Sequence, residues 1–162
     1  MNLKYQKILN HSCFTEAVTK IELIEKDRLF CRHGMEHLIS VARIAYINAL
    51  EEQSDISKDI IYAAALLHDI GRADEYETGI SHNEAGAEKA SRILLDCGYS
   101  EAETEQITEA VKTHGHDGCP EKASELERIL CTADKLSRTC FCCSASPECN
   151  WSEEKKNNTL IY

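Results

Sequence analysis

Proline and glycine are scarce in this chain of 162 residues, at two and seven. Alternating β-branched runs are missing as well, so a strand-based fold has no signal behind it. No apolar stretch approaches the ~20 residues that a membrane-crossing helix needs. The opening Met1-Asn2-Leu3-Lys4-Tyr5 lacks the basic-then-apolar layout of a secretory leader. Excess positive charge is absent too: the net charge is −10 and the pI about 5.2. That balance argues against nonspecific binding to long nucleic acid or to an anionic membrane, because both need a basic footprint. The expectation is a cytoplasmic protein with no membrane partner. Repeats, low-complexity segments and linkers are also lacking.

What is present reads as helix. The stretch Met35 to Gln53 sets Leu38, Val41, Ala42, Ala45 and Ala49 at helical spacing. Ile60 to Leu67 is short and apolar, with Gly71 as its stop. Ser81 with Glu84, and Ser100 with Glu103, have the form of capping boxes. They open helices that run towards Gly98 and His114. Pro120 suits the first turn of another helix, carrying Leu126, Ile129, Leu130 and Ala133. Two more are expected around Leu3–Leu9 and Phe14–Leu29, for six or seven in all. An apolar share of 43% over this length supports one all-α domain with a real core. Residues 1–138 are read as that domain and 139–162 as a Cys-rich tail.

The nine cysteines are an odd number and lack a leader, so reduced thiols are the simplest reading. Cys140, Cys142, Cys143 and Cys149 lie within ten residues, and Cys140 and Cys143 have a Cys-x-x-Cys spacing. Such thiolates can chelate zinc or an iron–sulfur cluster. A full zinc ribbon shows two such pairs, and only one is present. Cys119 and Cys131 could join the group if the fold brings them near.

Six residues carry the chemistry: His37, the doublet His68-Asp69, His82, His114 and Asp134. His37 shares a face with Val41 and Ile44, and His68 continues the stripe of Ile61, Ala64 and Ala65. His114 follows Ile107, Ala110 and Val111, and Asp134 follows Leu126 and Leu130. Helical spacing thus turns these polar groups towards the core, where an unpaired charge is costly. A single inward His is commonly a hydrogen-bonded core residue. Several, together with two carboxylates on separate apolar stripes, fit a shared metal ion better.

The order His37-Leu38-Ile39-Ser40-Val41-Ala42, then His68-Asp69-Ile70-Gly71, then Ala133-Asp134 resembles the HD superfamily of helical, metal-dependent phosphohydrolases. The resemblance runs from about Arg32 to Arg138. His82-Asn83-Glu84-Ala85-Gly86 and Val111-Lys112-Thr113-His114 look like the further motifs of its two-metal members. It implies two divalent ions (Fe, Mn, Mg or Zn): His37, His68, Asp69 and Asp134 would hold the first, and Asp69 would bridge to a second held by His82 and His114. His37 is preferred over His33 as first ligand because it stands four residues before Val41, as in the family. His33 is then a neighbour of the site or a substrate contact. His116 is a further candidate for the second ion, although Gly115 separates it from His114. Gly86 would permit a close approach of a helix or ligand.

In such a site bound hydroxide attacks a phosphoester at neutral pH, against a bulk-water pKa of ~15.7. Arg72, Lys135 and Arg138 are candidate cations for the developing charge, with Asp69 and Arg72 the proposed catalytic pair. The subgroup resembles small bacterial hydrolases of nucleotides such as dinucleoside polyphosphates, so a nucleotide or other small phosphorylated substrate is expected. HD-type di-iron oxygenases share the same six-ligand array, and a non-catalytic metal-binding regulator is the other alternative.

Overall fold

The structure is a computed structural model describing residues 3–115 and 119–162. Eight α-helices occur among these residues, with no strand. They are α1 (Tyr5–Ile8), α2 (Ser12–Ile24), α3 (Met35–Glu51), α4 (Lys58–Leu67), α5 (Arg72–Thr78), α6 (His82–Cys97), α7 (Glu101–Thr113) and α8 (Glu125–Leu136). None is long and apolar enough to cross a membrane.

The centre is α4. Ile61 and every residue from Ala63 to Leu67 are buried, so the helix is apolar all round, the mark of a fully enclosed element. It touches α1, α3, α6, α7 and α8. Three successive alanines keep its surface low and let neighbours pack closely. Its start is capped by Ser57, whose side chain accepts from the Ile60 N–H. Asp59 in its first turn accepts from the Lys4 and Tyr5 N–H groups, tying α1 to the core. Around α4, α3 buries the face through Leu38, Val41, Ala42, Ala45 and Ala49, and α6 and α7 pair with each other.

Several boundaries differ from the sequence expectation for local reasons. Helix α2 stops at Ile24 because the next residue, Glu25, turns its carboxylate inward to His33. Ser81 stands at the N-cap of α6 without a side-chain bond, so the expected capping box is not formed there. The box at Ser100 and Glu103 is formed, and a second occurs at Ser124 and Glu127. Helix α8 therefore begins at Glu125, and Pro120 lies in the turn before it. Helix α5, absent from the sequence reading, starts directly after Gly71. Gly71 is thus no simple stop: the backbone there packs onto α6 at His82 and Gly86. Helix α6 ends on Gly98 in the left-handed conformation that glycine favours.

Beyond α8 the chain forms only two short 3-10 turns, Cys140–Cys142 and Ser146–Glu148. Asn157 ties this tail to the end of α8 by donating to the carbonyls of Lys135 and Arg138, and Tyr162 donates to Asn48 on α3.

Candidate metal centre

The helices deliver their polar residues to one place because helix ends meet there. His37 lies in the first turn of α3, His82 opens α6, and Asp134 sits in the last turn of α8. His68 and His114 are the capping residues that close α4 and α7. All but Asp134 and His82 are at most 9% exposed.

The side chains fall into two overlapping groups whose candidate ligand atoms lie within 4.8 Å of one another: His37, His68 and Asp134, and His68, Asp69 and His114. Asp69 joins them through its two oxygens. Its Oδ2 lies 3.1 Å from His68 Nε2 and 3.4 Å from His37 Nε2. Its Oδ1 lies 3.4 Å from His114 Nε2 and 3.8 Å from His82 Nε2. Asp134 Oδ1 completes the first side at 3.2 Å from His37 Nε2.

Each imidazole is oriented by what its other nitrogen touches. His68 Nδ1 donates to the Ala65 carbonyl at 2.7 Å, and His114 Nδ1 donates to the Val111 carbonyl. These carbonyls belong to the last helical turns, where no main-chain donor follows, so the histidines satisfy them. His82 Nδ1 donates to Glu75 at 2.9 Å. His37 Nδ1 donates to Ser137 Oγ at 3.3 Å, since that hydroxyl spends its own proton on the Asp134 carbonyl. With every Nδ1 committed outward, all four Nε2 atoms face the centre, as metal-binding imidazoles do.

The donor set calls for a cation. His37 Nε2 and His68 Nε2 are 3.2 Å apart, too close for two lone pairs without a proton or ion between them. Asp69 Oδ2 and His82 Nε2 are buried without any hydrogen-bond partner, which is costly unless something further binds. Burial disfavours the His68 imidazolium, yet Asp69 and Asp134 together push its pKa up to about 10. Asp69 and Asp134 are held well below the carboxylate range against the same burial, chiefly by these imidazoles. Burial and the adjacent Arg72 keep His82 below its ordinary value, preserving the Nε2 lone pair. Mixed imidazole and carboxylate donors suit zinc, iron or manganese, so these residues could hold divalent ions.

The remaining candidates occupy distinct positions. Arg72 Nε bonds Asp69 Oδ1 at 2.9 Å and its Nη1 reaches Glu75, so it braces the carboxylate that lies between the two groups. Arg138 places Nη2 3.3 Å from both His37 Nε2 and Asp134 Oδ1. Lys135 is exposed, on a cleft of about 700 Å³ that also borders Asp134, Gly115 and Trp151. His33 stacks edge-on against His37 with ring centres 5.7 Å apart, and Glu25 holds it through both Nδ1 and the backbone N–H at 2.6 Å. His116 lies outside the described residues. Cys119 and Cys131 border the Asp134 cleft, apart from Cys140, Cys143 and Cys149, which line another cavity.

Sequence reasoning missed Glu25, Glu75 and Ser137. Ser137 follows Asp134 by one turn and was open to inspection. Glu75 needed α5, and Glu25 needed a tertiary contact across the α2–α3 loop.

An all-helical fold whose helix ends gather His and Asp around shared cation positions defines a class of helical metal-binding hydrolases. The HD domain family model matches residues 34–139, well over half of the chain, and the chain belongs to that family. A Clostridium beijerinckii "Uncharacterized protein" is 38% identical over 98% of this chain and 99% of its own length. The Bacillus subtilis protein named "Putative phosphohydrolase YueE" is 32% identical over 65% of this chain and 66% of its own. Ribonuclease Y 1 of Pediococcus pentosaceus is 32% identical over 78% of this chain, which spans only 22% of that larger protein. Among solved structures, a predicted HD superfamily hydrolase from an uncultured Thermotogales bacterium matches with a TM-score of 0.68 and 28% identity. That match covers 93% of this chain and 79% of the other.

Proposed function

We propose that the protein is a phosphohydrolase that uses two divalent ions to cleave a nucleotide or another small phosphoester or phosphoanhydride. The observation that carries this reading is the division of Asp69: one oxygen faces His37 and His68, the other faces His114 and His82. A carboxylate so placed, with a ring of Nε2 donors on each side, suits two ions sharing one bridge.

Bound divalent ions supply an acidified water and Lewis-acid stabilisation of phosphoryl oxygens. The chain's own residues do the rest. The outward Nδ1 bonds fix each imidazole plane, and Arg72 fixes Asp69. Arg138 stands at the His37 and Asp134 edge, where its guanidinium can receive a phosphoryl oxygen. Asp134 is the most exposed of the six residues, so the cleft beside it, with Lys135 and Trp151, is the approach for substrate.

The names of the Bacillus and Thermotogales relatives favour a hydrolase of this type. The ribonuclease relatives share only a fraction of their length with this chain, and its net charge of −10 disfavours long RNA. The test is metal analysis of the purified protein with a panel of nucleotides, following product release. Asp69→Ala is expected to abolish both ion retention and turnover. Hydrolysis by Asp69→Ala at the parent rate would overturn the reading, as would an iron-loaded protein that consumes dioxygen and releases no phosphorylated product.

A further inference from the structure

Four cysteines face a single cavity although one of them is more than a hundred residues from the others. Cys31 lies just before α3, while Cys140, Cys143 and Cys149 belong to the tail, and all four line the same space of about 540 Å³. Cys142, which completes the run in sequence, does not line it. Its thiol is exposed and turns to the Thr139 carbonyl. Proximity shows in the Cys31 thiol, which is pushed up first by burial and then, against the pull of Arg138, by Cys140, Cys143 and Cys149.

Hydrogen bonds from Asn157 and Tyr162 hold the far end of the tail to α8 and α3, but the tail has almost no apolar core of its own. Ala145 is its only buried hydrophobic residue, and its turns are single 3-10 turns. Small loop-rich appendages without a core are commonly fixed by a metal or a disulfide. The backbone is already folded for this: Cys143 N–H donates to the Cys140 carbonyl at 3.2 Å, and Cys149 N–H to that of Ser146 at 3.3 Å. Four thiolates on a divalent ion leave excess negative charge, and Arg32, Arg138 and Lys156 border the same cavity. Lys156 is paired first with Glu153, and Cys149 and Cys140 add a smaller pull on the same ammonium.

We propose that Cys31, Cys140, Cys143 and Cys149 bind one zinc ion as a tetrathiolate that staples the tail to the segment before α3. No three of these sulfurs lie within 4.8 Å of one another, so coordination requires the thiols to close in, by side-chain rotation or by movement of the tail turn. The staple is separate from the His and Asp centre yet adjacent to it, because His37 and Arg138 border the same cavity. Cys31 leads into Arg32 and His33, and Arg138 stands two residues before Cys140. One ion therefore fixes both chain segments that flank His37, and by closing this cavity it leaves the Asp134 cleft as the open route to the centre.

The test is zinc analysis of the full chain, with release of the ion by a thiol-blocking mercurial followed by a chromogenic chelator. One thiol-released equivalent per chain is expected, retained in Asp69→Ala, where the other centre is dismantled. Cys143→Ser and Cys31→Ser are expected to lose it, and Cys142→Ser to keep it. If the Cys143→Ser chain does not fold, cobalt exchange into the unsubstituted protein gives the answer through a sulfur-to-cobalt charge-transfer band. Absence of that band, an equal loss in Cys142→Ser, acid-labile sulfide, or a Cys31 disulfide in the unreduced protein would each overturn the proposal.

Discussion

Gly71 meets the carbonyl of His82 so closely that a Cβ at position 71 would lie 2.1 Å from that oxygen and 2.5 Å from the Gly86 nitrogen. Both obstacles are backbone, so neither can swing aside. The Gly71→Ala chain must push α5 and α6 apart at the point where His82 is held. A loss of roughly 3 kcal/mol or more in urea unfolding is expected, together with weaker ion retention. At Gly86 a Cβ would meet its nearest neighbour at 3.4 Å, an ordinary contact. Gly86→Ala is expected to cost about 1 kcal/mol or less beyond its effect on helix propensity. Equal losses in the two variants would contradict this division.

Loading with divalent ions should displace a proton. Asp69 and Asp134 push His68 up to about 10, so its Nε2 is protonated at neutral pH until a metal competes for the lone pair. Titration calorimetry at pH 7 in buffers of different ionisation enthalpy is expected to show release of about one proton per chain. The sign for stability follows. A raised folded-state value contributes stability that is complete below the ordinary 6.5 and fades as pH rises through about 10. Chelator-treated protein is therefore expected to melt at falling temperature across that interval, and the loaded protein to show a smaller decline.

The buried pair of Glu25 and His33 gives an acid-side prediction of opposite slope. Burial raises the Glu25 carboxyl, but bonds from His33 and Tyr76 outweigh it and hold the value at about 2, against an ordinary 4.5. A depressed carboxylate stabilises the fold above 4.5, and that contribution drains away as pH falls towards 2. The size of the contribution is on the order of 3 kcal/mol. Glu25→Gln is expected to lose about 2 kcal/mol at pH 7 and to flatten the stability profile between those limits. A profile as steep as the parent's would show that other groups govern acid unfolding.

Ser137 and Glu75 act through the imidazoles they orient. Ser137→Ala frees His37 Nδ1, and Glu75→Ala frees His82 Nδ1. Each is expected to weaken ion affinity by about 10–100-fold with little change in unfolding free energy. Ion titration beside a denaturant melt separates that result from simple destabilisation. Glu75→Asp is not expected to rescue fully, because the shorter arm cannot span the distance from α5.

Where the chemistry was periodic, it could be read from the chain. The apolar stripes that carry His68, His114 and Asp134 set those residues on inward faces, and the structure gathers them. What escaped was non-local. Helix α5 has only seven residues and a single buried one, Ala73, so it leaves no stripe to detect. Gly71 looked like punctuation because its partner backbone arrives from another helix. Pro120 suits a helix start by composition, yet α8 opens at Ser124, which with Glu127 satisfies both ends of a capping box. Cys31 stood alone in sequence, and only the return of the tail gives it companions.

The histidines that finish α4 and α7 have a dual duty, since each quiets a loose carbonyl with one nitrogen and offers the other to the centre. Fraying of either helix would then cost a donor, and an ion gripping that donor would resist fraying. Bound cations would thereby rivet the secondary structure itself, and starving the protein of metal is expected to unravel the helix tips nearest the chemistry before it loosens the distant core.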